Sequence, residues 1–205
     1  MSKGLLITFE GPDGSGKTTQ ISLLKEYLNN KGLNVVCTRE PGGTRISEKI
    51  RDIILDNNNN DMSPMCEALL YAAARSQLVE QIIKPAIDKG KIVICDRFVE
   101  SSIVYQGIGR NLGVERIRMI NEAATDGLKA DITFMLTISY EEGLKRKEKQ
   151  KSFDRLENSG NDFHKRVYEG YMELSKNSNY IKVIDANRSI KEIHNEIINF
   201  IEEIL

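Results

Sequence analysis

Five short apolar runs punctuate the chain: LLITF (5–9), NVVCT (34–38), KIVIC (91–95), DITFMLT (131–137) and YIKVI (180–184). They are rich in β-branched residues and nearly continuous in apolar character, so they read as strands covered on both faces. Between them the apolar spacing changes to three and four. Ile21, Leu24 and Leu28 share one face of a helix predicted over 17–31, and Ile190, Ile193, Ile197, Ile201 and Ile204 do so over 190–204. Ser139 with Glu142, and Ser189 with Glu192, have the spacing of capping boxes, and Ser63 before Pro64 reads as an N-cap with proline at the first helical position. A helix over about 64–84 is apolar across a wide arc that includes Leu69, Leu70, Ala72, Ala73, Ala74, Leu78, Val79, Ile82 and Ile83. Either it is buried all round, or one face meets the sheet and another meets a second subunit. Pro85 is predicted to end or kink it. The alternation predicts an α/β fold, with a five-stranded parallel sheet and helices on both of its faces.

Length and charge narrow the class. The 205 residues suit a single domain over 1–205, and 40% apolar with 29% charged residues marks a globular chain. A net charge of −1 supplies no broad basic field, so neither nucleic acid nor an anionic membrane is an expected partner. The N-terminal run Leu5 to Phe9 is too short for a signal-peptide core or a membrane span, and a cytoplasmic location is expected. Cys37, Cys66 and Cys95 lie singly among apolar neighbours with no C-x-x-C, which predicts reduced, buried thiols. His164 and His194 are read as lone surface positions on helices without a role. NNNND (57–61) is a polar loop.

The chemistry concentrates after the strands. Gly11-Pro12-Asp13-Gly14-Ser15-Gly16-Lys17-Thr18 matches the P-loop pattern in full, and it follows a strand and opens an amphipathic helix as that motif requires. Its glycines let backbone N–H groups wrap a phosphate at the positive end of the helix dipole. Lys17 is expected on the β- and γ-phosphates of ATP, and the Thr18 hydroxyl on Mg²⁺. Asp13 is the anomaly, a carboxylate inside an anion loop. No N-K-x-D follows the fourth strand, so the base reader of a GTPase is missing.

Asp96-Arg97-Phe98 follows the third strand, at the carboxyl edge where α/β folds bind ligands. Asp96 either positions Mg²⁺ through water or a nucleophile, or caps a helix or pairs with Arg97. Arg97 offers a two-pronged fork for a second phosphate. TREPGGT (38–44) forms a tight turn after the second strand and projects Arg39 and Glu40 from the same edge.

FEGPDGSGKTT, TREPGGT, YAAARSQL, DRFVESSIVYQG and KSFDRLE, in this order, resemble the bacterial thymidylate kinases from about residue 5 to the end of the chain. The resemblance implies a P-loop kinase fold with a mobile lid, transfer of the γ-phosphoryl of Mg·ATP to dTMP, and a homodimer. It implies that Arg97, helped by Arg51, holds the dTMP phosphate. Tyr71 would stack on thymine and Arg75 donate to its carbonyl, where without the family the pair would read as a core aromatic and a surface arginine. Glu40, Ser101, Ser102, Tyr105 and Gln106 would line the thymine and sugar pocket, with Tyr105 crowding the 2′ side of the sugar. Asp13 would turn toward the acceptor and accept from the 3′-hydroxyl or help place the Mg²⁺ shell. The lid, about 143–156, contains the basic tract KRKEKQK (145–151). In the bacterial family a lid arginine serves the transferring phosphate because the P-loop lacks one, and Gly14 stands at that P-loop position here. The lid departs from the family by being mostly lysine with Glu148 interposed, which leaves Arg146 and Arg155 as its candidate arginines. The loop DANRS (185–189) would run past the adenine. The rival readings are a kinase for another deoxynucleotide or nucleoside, and a P-loop ATPase or regulator.

Overall fold

Each apolar run forms a strand within one residue of its predicted bounds: β1 Leu5–Glu10, β2 Val35–Arg39, β3 Ile92–Asp96, β4 Ile132–Thr137 and β5 Ile181–Asp185. The structure, a computed structural model, describes residues 4–147, 154–174, 176 and 180–205. The strands form one sheet in the order β2-β3-β1-β4-β5, all neighbours parallel. Because the strands are parallel, their charged last residues Glu10, Arg39, Asp96 and Asp185 come to one edge of the sheet. Arg39 and Phe9 are both level with Asp96 in the ladder.

Helices cover both faces, which is why the runs are continuously apolar. On one face Ile7, Phe9, Ile94 and Phe134 pack against Ile21, Leu24 and Leu28 of α1 (Lys17–Asn30) and Ile193, Ile197 and Ile201 of α9 (Ile190–Glu202). The alternate positions Leu6, Val93 and Cys95 meet Leu78, Val79, Ile83 and Ala86 on the other face. These belong to α3 (Pro64–Leu78), a π turn at Val79–Ile83 and α4 (Lys84–Asp88). The remaining helices are α2 (Arg45–Leu55), α5 (Val99–Ser102) with a π-helical continuation at Ile103–Gly109, α6 (Val114–Thr125), α7 (Tyr140–Lys147) and α8 (Asn161–Leu174).

Several expectations need correction. The chain stays helical past Pro85: the π turn widens the helix directly before it, where the ring would otherwise press on the Gln81 carbonyl. The helix at 64–78 is not buried all round, since Leu69 is 52% exposed while Ala68, Ala72, Ala74 and Leu78 are buried. Only Cys95 is a buried thiol; Cys37 and Cys66 are exposed, on the outer strand β2 and in the first turn of α3. His164 and His194 are half-buried. Ile190 and Ile204 lie outside the core stripe of α9. The Ser189–Glu192 capping box is reciprocal, but at Ser139 only one half forms, because the Glu142 carboxylate turns to Arg146 instead. Residues 148–153 of the expected lid lie outside the described residues. No helix among the described residues is long and apolar enough to cross a membrane.

Candidate active site

The loop after β1 owes its shape to glycine. Gly11 has φ +128°, and a Cβ there would strike the Leu136 carbonyl oxygen of β4. Gly16 sits in the left-handed region as the N-cap of α1, with no side chain capping the helix. The first N–H groups of that helix therefore stay available to an anion. Lys17 folds back under the loop, its Nζ donating to the carbonyls of Gly11 and Pro12 at 3.0 Å each. Burial, helped by the nearby Arg97 cation, lowers its pKa to about 8. Ser15 Oγ is buried without a partner, and Thr18 at the first turn is exposed.

Arg97 is the hub of the edge. Its backbone is held at φ 67°, a left-handed conformation that costs a non-glycine residue free energy and marks many functional sites. Its N–H bonds the Phe9 carbonyl at 2.9 Å, which fixes the turn after β3. The guanidinium then reaches back to the loop after β1. Nη2 meets Asp13 Oδ1 at 2.5 Å, and Nη1 donates to the Gly11 carbonyl (3.1 Å), Ser101 Oγ (3.1 Å) and Tyr171 Oη (2.9 Å). It also lies 5.3 Å from the centre of the Tyr105 ring. Asp13 thus faces away from the anion loop and toward the third-strand arginine.

Beside this hub opens a cavity of about 230 Å³. Every residue expected to contact the acceptor lines it: Asp13, Glu40, Arg51, Tyr71, Arg75, Arg97, Ser102, Tyr105 and Gln106. Their partners refine what each can do. Arg75 is not a surface residue but 1% exposed, and it donates to Glu40 (2.6 Å), Ser102 Oγ (2.9 Å), the Phe98 carbonyl (2.7 Å) and Asn121. Such a fork, pinned from several sides, presents one fixed orientation to the cavity. Glu40 Oε1 has no partner, and burial pushes its carboxyl above the ordinary range in spite of Arg75. Arg51 donates to the Pro41 carbonyl at 2.9 Å. The Gln106 amide nitrogen is held by Glu67 at 3.0 Å. Burial works against the Glu67 charge, but hydrogen bonds from Arg110, Gln106 and Arg155 outweigh it and hold the carboxyl below its usual range.

The two arginines of the expected lid part company. Arg146 lies against the P-loop, donating to the Gly14 carbonyl (3.2 Å), the Ala186 carbonyl (3.2 Å) and Glu142 (3.0 Å). Arg155 is buried, bonded to the Ile54 carbonyl and Glu67 at 2.7 Å each. It is committed to the Ile54 carbonyl and Glu67, away from the P-loop. Arg39, exposed, pairs with Glu48 rather than with a site group.

Two groups escaped the sequence reading. Glu10, fully buried at the end of β1, accepts from the N–H of Phe98 (2.7 Å) and from Ser101 Oγ (2.5 Å), and so braces the turn that carries Arg97. A carboxylate closing an apolar strand next to a P-loop was a signal that could have found it. Tyr171 on α8 bonds Arg97 across 74 positions and Ser101 across 70, and nothing local points to it.

Asp96 Oδ1, at the end of β3, is buried and has no hydrogen-bond partner. Among the described residues no set of three or more His, Cys, Asp or Glu stands together as a metal cage. A hydroxyl at Thr18 and one orphaned carboxylate oxygen fit Mg²⁺, which keeps waters and shares substrate phosphates instead of demanding an all-protein cage.

Comparison with known proteins shows the family. The sequence model of the thymidylate kinase family matches residues 9–197. A thymidylate kinase of Thermoanaerobacter sp. (strain X514) is 50% identical over 204 residues, covering 99% of this chain and all of the relative. That of Finegoldia magna is 48% identical over 198 residues, 97% of this chain and 98% of the relative. The crystal structure of thymidylate kinase from Ehrlichia chaffeensis superposes with a TM-score of 0.77 at 35% identity, covering 97% of this chain and 98% of that one. The chain belongs to the thymidylate kinase family.

Proposed function

We propose that this enzyme, a nucleoside monophosphate kinase that phosphorylates dTMP to dTDP in dTTP synthesis, takes the phosphoryl group from ATP with Mg²⁺ and uses the Asp13–Arg97 pair as the joint between its two sites. The carrying observation is that pair's 2.5 Å contact, which ties the donor loop to the wall of the acceptor cavity. Transfer of this kind is mostly positioning and charge stabilisation. Gly11 to Thr18 hold the donor phosphates, with Lys17 on the β- and γ-groups. Arg97 and Arg51 hold the acceptor phosphate in line. Asp13 accepts from the sugar 3′-hydroxyl, Tyr71 stacks on the base, and Arg75, Ser102 and Gln106 read its edge next to Glu40. Mg²⁺, held by Thr18 and through water by Asp96, would neutralise charge on the transferring group. Arg146, already against the P-loop carbonyl of Gly14, serves as the cation for the transferring phosphate.

The test is turnover of Mg·ATP with dTMP, dUMP, dCMP, dGMP, AMP and thymidine, followed as ADP release. Strong stimulation by dTMP alone is expected. Turnover equal to that with water would make the protein an ATPase, and preference for another acceptor would reassign the cavity.

The protein is further read as a cytoplasmic homodimer. Supporting the pairing, Ile46 and Ile53 of α2 and Leu69 of α3 are 42%, 47% and 52% exposed on two helices that pack together. Sedimentation velocity should find a dimer that Leu69→Lys weakens; a monomeric wild type would refute it.

A further inference from the structure

A second cavity lies behind the first. Helix α5 separates them: Ser101 and Ser102 line the acceptor side, whereas Val99 and Glu100 line the other. The second cavity measures about 490 Å³. That falls within the range of small-molecule sites, about 300–1,000 Å³. Its walls are mainly apolar, built from side chains such as Ile103, Ile108 and Leu128. The first two belong to the π-helical segment after α5, a distortion found frequently at functional sites.

Glu100 is out of place in such a wall. It is 4% exposed. Its Oε1 accepts from the Tyr180 hydroxyl at 2.9 Å, while Oε2 is buried and has no hydrogen-bond partner. Burial, with the Glu10 charge nearby, raises its carboxyl above the ordinary range. Phosphoryl transfer gives this group no task, and a side chain present only for packing would be apolar here. The ligand that suits it brings a donor to the Glu100 carboxyl and an apolar body to the walls. An anion is repelled, because carboxylates outnumber cations around the cavity: Glu100, Glu122 and Glu173 against Arg118 and Lys129. A bare metal ion lacks the oxygen ligands it needs against apolar walls.

We propose that this cavity is a second ligand site, which takes a small organic amine or amidine whose cationic head donates to Glu100 and whose apolar body lies along the wall formed by Ile103, Ile108 and Leu128. Tyr180, itself 42% exposed, is the side chain that such a head group joins at the carboxyl. The site is independent of which nucleotide the acceptor cavity takes.

The experiment is titration of the ¹⁵N-labelled full chain with phenethylamine and benzamidine, and with benzyl alcohol as the uncharged control. Saturating amide shifts are expected in Val99–Ile103 and Asn121–Leu128, with the cations binding at least tenfold more tightly than the alcohol. Glu100→Gln should bring cation affinity down to that of the alcohol. Val114→Trp, which fills the cavity from α6, should abolish binding of all three probes. No saturating shift in those segments would overturn the proposal, as would shifts centred on Tyr71 and Arg97, or equal affinity for cation and alcohol. Unchanged cation binding in Glu100→Gln would overturn it too. Should that variant fail to fold, the cation-to-alcohol ratio and Val114→Trp decide.

Discussion

The loop and the cavity proposed to hold the donor and the acceptor phosphates are made of different material. Between Gly11 and Thr18 the site is backbone: positive φ values at Gly11, Gly14 and Gly16, an uncapped helix start, and one lysine folded under the turn. The cavity is lined by side chains from the loop after β1, the turns after β2 and β3, α2, α3, α5 with its π-helical continuation, and residues 154–157. Arg97 meets Asp13 across 84 positions of sequence and Tyr171 across 74. A backbone site is sensitive to any residue that cannot adopt its φ, and is otherwise tolerant. A side-chain site fails when one tie is cut, because the remaining polar groups lose their partners in a low-dielectric setting.

The sharpest break in that comparison is Arg97→Ala. On the proposed reading it removes the cation from the acceptor phosphate, and it takes from Asp13, Ser101 and Tyr171 their shared donor. A fall of about 10³-fold or more in kcat/KM for dTMP is expected. ATP affinity, measured by titration without acceptor, should stay close to wild type. An equal loss on both sides would mean that the 3.1 Å bond from Arg97 to the Gly11 carbonyl makes the two regions a single unit. Asp13→Ala asks the same question from the loop. It should lower kcat/KM for dTMP by about 10²-fold, with less effect on ATP binding. The reverse order would return Asp13 to a purely local role in the donor loop.

A pH series tests the donor side alone. Lys17 loses its proton near pH 8 in the ligand-free protein, well below the 10.5 of an exposed lysine. Above that value the neutral amine must be reprotonated before it can pair with phosphate, so ATP affinity should fall by about tenfold for each pH unit. Folding stability moves the other way. Between about 8 and 10.5 the unfolded chain holds the proton and the folded one does not, so this lysine's contribution to stability rises with pH across that window. Lys17→Arg, which stays charged, should flatten both profiles. Unfolding midpoints and ATP titrations on either side of pH 8 measure the two slopes, and parallel slopes would refute the buried-lysine account.

The same contrast explains what the sequence could reveal. The sheet and the P-loop were legible because both are local: short continuous apolar runs, then glycines at fixed offsets before an amphipathic helix. The acceptor residues could be named only through the family resemblance. Their own signals mislead, since Arg75 reads as a surface arginine on a helix and is one of the most buried side chains in the protein. Burial of Arg75 depends on Glu40, Ser102 and Asn121, which no periodicity connects to it. Cys37 and Cys66 fail for a related reason, because apolar neighbours in sequence do not fix which way an outer strand or a helix end faces. Tyr171 was missed because its meaning exists only once α8 is brought to the edge that carries Arg97 and Ser101.

The smallest expected effect concerns the sugar. The Tyr105 ring is buried, held edge-on by Phe163 and Tyr171 at centroid distances of 6.1 and 6.2 Å, and covered by the Arg97 guanidinium. On the proposed reading, a ring fixed on three sides cannot retreat from an added 2′-hydroxyl and discriminates by crowding. Tyr105→Ala opens that side of the cavity and should shrink the rate ratio between dTMP and its ribo-analogue by about tenfold. Tyr105→Phe keeps the ring and its cation contact, and should shrink the ratio less. If the two variants shrink it equally, the discriminating group is the hydroxyl and not the ring. If neither changes it, sugar selection lies elsewhere in the cavity, and Tyr105 serves to position Arg97. In that case both variants should lower kcat for dTMP and the ribo-analogue in parallel.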